Sequence, residues 1–169
     1  MKKIKNLLML LPLALLSIIL TSCFESSKDN ANYIYVASDA AETGTGEKSS
    51  PMLFDVAVRS ANPDDVFLLA DGVYNYDLKI NLGRSGSPNH YITIKKENEN
   101  GNVTLDFSEM EFLSTNRGIQ LYGNFWHIDG IDFRGAGDNG LYTSGSYNII
   151  ENCQFYDNRD SGLQLGRAY

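Results

Sequence analysis

Asn116-Arg117-Gly118-Ile119-Gln120-Leu121, Asp138-Asn139-Gly140-Leu141-Tyr142-Thr143 and Asp160-Ser161-Gly162-Leu163-Gln164-Leu165 are three versions of one hexapeptide, set 22 residues apart. Other positions keep the same period: Ile128 with Ile150, Ile131 with Cys153, and Phe133 with Phe155. A fixed period near this length marks a solenoid, in which each repeat buries its apolar face only by stacking on its neighbours. Within each hexapeptide apolar and polar residues alternate, which is the periodicity of a strand and not of a helix. Ile119, Leu141 and Leu163 are therefore expected to point inward as one stack, with Gln120, Tyr142 and Gln164 as an outward column. Short strands, 22 residues per turn and Gly or Asn at the corners describe an all-β chain, a parallel β-helix.

Working outward, the N-terminus carries a different kind of signal. Lys2, Lys3 and Lys5 precede an uncharged run from Leu7 to Leu20, and Thr21-Ser22-Cys23 follows. A basic n-region, an apolar h-region and small residues at the end make residues 1–22 a secretory signal outside the fold. The run is short for a membrane span. Leu20-Thr21-Ser22-Cys23 resembles a bacterial lipoprotein box, which implies cleavage before Cys23 and lipidation of its thiol. Acyl chains there would anchor the domain, since their burial contributes about 0.8 kcal/mol per CH₂. The expected location is that of an exported, membrane-anchored bacterial lipoprotein, with residues 23–31 as a polar tether.

The whole chain has 14 basic and 21 acidic residues, and loss of residues 1–22 would leave 11 basic residues and a net charge near −10. That argues against nucleic-acid binding through phosphates, which needs a basic surface. An acidic polysaccharide would need a cation or a local basic patch to approach. Two cysteines give no disulfide framework. Cys23 goes to the lipid, and Cys153 falls on the inward column with Ile131, where a free thiol acts as a small hydrophobe. The chain is expected to be monomeric.

Between tether and repeats, residues 32–63 read as an N-terminal strand and a capping helix. Tyr33 to Val36 alternates like a strand, and Asp39 to Ser50 is a Gly-, Ser- and Thr-rich loop. Ser50-Pro51 reads as a helix start, with Ser as N-cap and Pro in the first helical position. Leu53, Phe54, Ala57 and Val58 then give an apolar face that would cover the first coil. Residues 64–169 read as the first coils. Val66 to Leu69, Tyr91 to Ile94 and Val103 to Phe107 are strands in irregular coils, and regular ones follow from Asn116. A coil that begins at Gly162 and has only Gly166-Arg167-Ala168-Tyr169 after it is expected to be incomplete, because natural solenoids cap or blunt such an edge.

Tyr35-Val36-Ala37-Ser38, Gly44-Thr45-Gly46, Ser50-Pro51 and Asp71-Gly72-Val73-Tyr74 form an early set of motifs. Trp126-His127-Ile128, Ala136-Gly137-Asp138-Asn139-Gly140 and Asp157-Asn158-Arg159-Asp160-Ser161-Gly162-Leu163-Gln164-Leu165 form a denser late one. Together they resemble the family 9 polysaccharide lyases, the pectate lyase L-like enzymes. The resemblance implies a right-handed parallel β-helix and calcium-dependent β-elimination of α-1,4-linked polygalacturonate (pectate). It implies a lysine base, made partly neutral by burial or nearby positive charge, and aspartates that supply oxygen ligands to calcium. The family carries those aspartates and that lysine C-terminal to the last block matched here. The chain is therefore expected to be the N-terminal, inactive part of a lyase whose whole length uses calcium.

Several residues here remain candidates for a site. Asp138 and Asp160 hold equivalent positions on adjacent coils, about 5 Å apart at strand spacing, and Asp157 lies three residues before Asp160. These three are the candidate calcium ligands, although Asn116, Asp138 and Asp160 equally suit a turn that needs an acceptor. Asn148, Asn152 and Asn158 read as corner and ladder residues. Gln120, Tyr142 and Gln164, with Arg117 and Arg159 nearby, are candidates for contact with a sugar chain. His90 and His127 stand apart from any Cys or acidic cluster of ligand spacing, with His127 facing outward. Two further classes stay open beside the lyase: a non-catalytic glycan-binding or adhesion β-helix lipoprotein, and a glycoside hydrolase using Asp138 and Asp160 as paired acids.

Overall fold

The computed structural model of the protein describes residues 31–166. The proposed lipidation site at Cys23, the signal, most of the tether and residues 167–169 lie outside them. Among the described residues thirteen strands run in chain order: β1 Asn32–Val36, β2 Asp65–Leu69, β3 Gly72–Asn75, β4 Ile80–Leu82, β5 Ile92–Lys96, β6 Val103–Asp106, β7 Ile119–Leu121, β8 Trp126–Asp129, β9 Asp132–Arg134, β10 Leu141–Thr143, β11 Ile149–Glu151, β12 Gln154–Tyr156 and β13 Leu163–Leu165. They build three sheets, in the orders β1-β2-β5-β8-β11, β4-β7-β10-β13 and β3-β6-β9-β12. Every pairing between these strands is parallel. The chain visits the first sheet, then the third, then the second, and repeats, so each circuit is one coil of a parallel β-helix.

The inward stack follows from the period. Ile80, Ile119, Leu141 and Leu163 pair in register on the second sheet. Phe67, Ile94, Ile128 and Ile150 do so on the first, and Tyr74, Leu105, Phe133 and Phe155 on the third. Phe133 and Phe155 stack with ring centroids 5.0 Å apart. The Tyr74 hydroxyl turns back into the wall, donating to the carbonyls of Ala70 (2.8 Å) and Val36 (3.2 Å). Burial, with the nearby Asp39 and Asp71 charges, pushes its pKa up, so it stays a protonated donor.

Corners repeat as faithfully as strands. Gly130 and Asn152 occupy one left-handed corner in successive coils (φ 73° and 53°), and Gly135 and Asp157 another (φ 72° and 56°). Asn and Asp tolerate this conformation better than other non-glycine residues, so Asp157 has a backbone reason for its identity. The column Gly118, Gly140, Gly162 answers to space instead. A Cβ on Gly118 would meet the Phe107 ring and the Gly140 carbonyl at 2.7 Å, and one on Gly140 the Gly162 carbonyl at 2.8 Å. Asn148 and Asn158 are ladder residues, as expected. Asn148 Oδ1 accepts from the Trp126 N–H (2.8 Å), and Asn158 Oδ1 from the Ala136 N–H (3.0 Å).

Two features of the cap differ from expectation. The helix α1 spans Phe54–Ala57 and continues as one 3₁₀ turn, Val58–Ser60. Its N-cap is Leu53, with no side-chain cap, so Ser50 and Pro51 do not start it. Ser50 is taken by a turn: its N–H donates to the Glu47 carbonyl, and its own carbonyl accepts from Thr45 and Gly46. Met52 then bonds in extended form between Tyr35 and Ala37, which delays the helix. Stacking also begins earlier than residue 64, because β1 already pairs in parallel with β2. The lid itself is as expected: Phe54, Ala57 and Val58 are buried in the core, and Phe54 lines the coil interior together with Leu82, Ile94 and Leu105.

Candidate functional site

The outer face of the second sheet assembles the sugar-contact candidates. Asn81, Gln120, Tyr142 and Gln164 pair in register across β4, β7, β10 and β13, a polar row of three strand intervals, roughly 14 Å long. The row is held in place by its own contacts. Tyr122 donates its hydroxyl to Gln120 Oε1 at 2.6 Å, and its ring meets Tyr142 edge-on with centroids 6.2 Å apart. Arg117 enters from the preceding corner and lays its guanidinium over the Tyr142 ring, 3.9 Å from the centroid. Its Nε stands 3.5 Å from the Asp138 carboxylate. A cation over an aromatic face, backed by a carboxylate, fixes a donor fork of the kind that matches a carboxylate ligand.

The column is outward, but Gln120 is only 7% exposed. The Tyr122 side chain folds back over it, and strand periodicity alone does not reveal that cover. Arg159 does not lie on this row by any contact seen; it stacks over Phe112, 5.0 Å from the ring centroid. It thereby pins the long loop before β7 to the corner after β12.

The three candidate calcium ligands are not brought to one point. Asp138 pairs with Arg117, Asp157 stands 3.5 Å from Arg134 Nε, and Asp160 accepts from Asn139 Nδ2 at 3.0 Å. Asp138 and Asp160 do share a turn, with the Asp160 N–H donating to the Asp138 carbonyl. Their carboxylates nevertheless serve different partners, both of them side chains. Calcium needs six to eight oxygens around one point, and these residues do not supply them. Paired-acid hydrolysis has no better footing here, since Asp138 and Asp160 are each committed to a neighbour.

One group was not foreseen. His127, placed apart from acidic residues in the sequence, sits with Asp129 and Glu151 so that one ligand atom from each lies within 4.8 Å of the others. The signal was available: Asp129 and Glu151 are 22 residues apart, and His127 and Asp129 share a strand face. His90 also gains a partner, with Nδ1 2.8 Å from Asp64 Oδ2.

A family model described as the Pel9A-like, right-handed β-helix region matches residues 34–169. A pectate lyase L of Paenibacillus polymyxa (strain SC2) is 40% identical over 142 residues, which cover 81% of this chain and 31% of that protein. A pectate lyase L of Thermoclostridium stercorarium is 35% identical over 139 residues, covering 80% of this chain and 11% of that protein. The crystal structure of pectate lyase Pel9A superposes with a TM-score of 0.67 at 27% identity, covering 80% of this chain and 36% of that one. The chain thus spans a third or less of the length of these two curated relatives.

Proposed function

The chain belongs to the Pel9A-like right-handed β-helix family, and on that premise we propose that it is the N-terminal part of an exported pectate lyase. The observation that carries this reading is the 40% identity to a pectate lyase L across most of the chain. In the proposed reaction a base removes the C5 proton of a uronate residue and the 4-linked sugar leaves with the bond electrons. Calcium, when bound, would offset the uronate carboxylate charge that otherwise opposes carbanion formation. Among the described residues no group of aspartates fits that ion, and the chain covers 31% of the length of the Paenibacillus polymyxa pectate lyase L.

The role of this part is then to scaffold and to hold the polymer. Arg117 supplies a positive fork on an otherwise acidic protein, and Gln120, Tyr142 and Gln164 offer hydrogen-bonding groups at strand intervals along an extended chain. Lys2, Lys3, Lys5 and the Leu20-Thr21-Ser22-Cys23 box support export and lipid anchoring of the same protein. A non-catalytic glycan-binding lipoprotein is the second reading, favoured by the Arg117 guanidinium laid over the Tyr142 ring.

The experiment compares this chain with a chain extended through its downstream reading frame, on polygalacturonate, with and without calcium. The extended protein is expected to release unsaturated products only with calcium, and the 169-residue chain none. Calcium-dependent release by the short chain would return Asp138, Asp157 and Asp160 to the metal site. Binding without elimination by the extended chain would favour the second reading.

A further inference from the structure

The first sheet carries a group of side chains that the glycan surface does not use. On β8, His127 and Asp129 are two residues apart and so share the outward face. On β11, Glu151 pairs in register with Asp129. His127 Nε2 lies 2.7 Å from Glu151 Oε1. Asp129 is oriented from the next coil by Asn152, whose Nδ2 donates to Oδ1 at 2.7 Å; Asn152 is itself fixed in a left-handed corner (φ 53°). One carboxylate oxygen is thus held by a neighbour of the site, as the supporting residues of metal ligands commonly do. Asp129 and Asn152 line a surface groove together with Lys95 and Leu68, so a dissolved ion can reach them.

We propose that His127, Asp129 and Glu151 form an open three-ligand site for a divalent transition cation, with Zn²⁺ as the reference ion. One imidazole nitrogen and two carboxylate oxygens suit zinc, whereas calcium takes oxygen ligands. At zinc–ligand distances of about 2.0–2.2 Å, ligand atoms stand roughly 3.3 Å apart in tetrahedral geometry. The His127–Glu151 contact is 2.7 Å and all three ligand atoms lie within 4.8 Å of one another, so side-chain rotations would complete the site. The ion would replace the direct His127–Glu151 contact, and water takes the open position. The ion would clip β8 to β11. Because a solenoid is stabilised by coupling between adjacent coils, a ligand shared by two coils raises the thermal midpoint. Lys95, in register with Asp129 on β5, is the cationic neighbour that opposes the ion. None of this depends on the lyase reading.

The test is calorimetric titration of Zn²⁺ into the full chain with Cys23 and Cys153 replaced by Ser, so that thiolates cannot contribute. One equivalent should bind and the thermal midpoint should rise, with no response to Ca²⁺. H127Q and E151Q should each abolish both responses while leaving the circular dichroism spectrum unchanged. H90Q, which breaks the other imidazole–carboxylate pair at Asp64, should leave zinc binding intact, and K95M should tighten it. Should H127Q fold poorly, E151Q decides alone, because its side chain is 51% exposed. Zinc binding that survives E151Q, or a parent chain that takes up no zinc, overturns the assignment.

Discussion

The coils before Ile119 and those after it obey the same register with very different chain lengths. On the second sheet, Ile80 and Ile119 are paired neighbours although 39 residues apart, while Ile119, Leu141 and Leu163 follow at intervals of 22. On the first sheet the steps are 27, 34 and then 22 residues, from Val66 to Thr93 to His127 to Ile149. The excess sits in the loops between strands, where added length costs little closure entropy. What stays constant is the inward residue at each rung. Register is therefore dictated by the apolar stack, and coil length is free to vary wherever a corner can be looped out. Burial along the stack varies for a separate reason. Ile80, Ile119 and Leu141 are 5%, 1% and 0% exposed, but Leu163 in the same column is 38% exposed. An edge rung is dry only when something covers it, as the Val58–Ser60 turn of the cap covers β4 and Ile80.

The largest expected effect sharpens that last contrast. Leu141→Ala removes a fully buried side chain held between two rungs and should destabilise the chain by about 2–5 kcal/mol. Leu163→Ala makes the same chemical change at the end of the stack and should cost less than half as much, since much of its surface is already in water. Urea denaturation midpoints of the two variants measure the difference. Appending one further coil after Gly166 should bring the Leu163→Ala cost up toward that of Leu141→Ala. Equal costs without that coil would break the nearest-neighbour account.

The same contrast explains what the sequence could tell. Where the period is constant, a column can be written from residue numbers alone, and Ile119, Leu141 and Leu163 or Phe133 and Phe155 were legible. Sites on the outer face need two coordinates, the strand face and the rung, and His127, Asp129 and Glu151 become neighbours only when both are applied. Rung position alone does not give the partners of Asp138, Asp157 and Asp160: Arg117 and Asn139 come from corners whose direction no periodicity gives, and Arg134 from the last position of β9. Ser50-Pro51 suits a turn as well as a helix start, and here the backbone bonds of Ser50 go to the turn with Thr45, Gly46 and Glu47. Tyr122 folding over Gln120 left no trace in the pattern at all.

Corners give the intermediate effect. In the regular half, Asn158 accepts from the N–H of the fully buried Ala136 and donates to the Phe133 carbonyl. Asn158→Ala leaves both backbone groups without that partner and should cost about 1–3 kcal/mol. In the irregular half, Asn98 donates to Asp71 on the exposed surface, and Asn98→Ala should change stability by no more than about 0.5 kcal/mol. If the two substitutions prove equivalent in denaturation, the regular corners are not latched by their asparagines.

The smallest effect compares one rung position across the two halves. On the outward face of the third sheet, Thr104 on β6 is in register with Asp132 on β9. The irregular coil thus has a neutral hydroxyl where the regular coil has a carboxyl group. Burial raises the Asp132 pKa above its ordinary 3.8, with a backbone hydrogen bond from Gln154 and the Lys96 charge acting against it. A raised pKa means that the folded chain binds the proton more tightly than the unfolded chain. The resulting contribution favours folding below the ordinary carboxyl range and is lost as pH rises through the raised value. Asp132→Asn carries no such charge to desolvate. At neutral pH the variant should therefore be slightly more stable than the parent, and its advantage should shrink as the pH falls toward 3.8. Thermal midpoints of both proteins across the acid range provide the check. An advantage that grows toward low pH would mean that the Gln154 and Lys96 contacts outweigh desolvation, and that the carboxylate on this rung is stabilising.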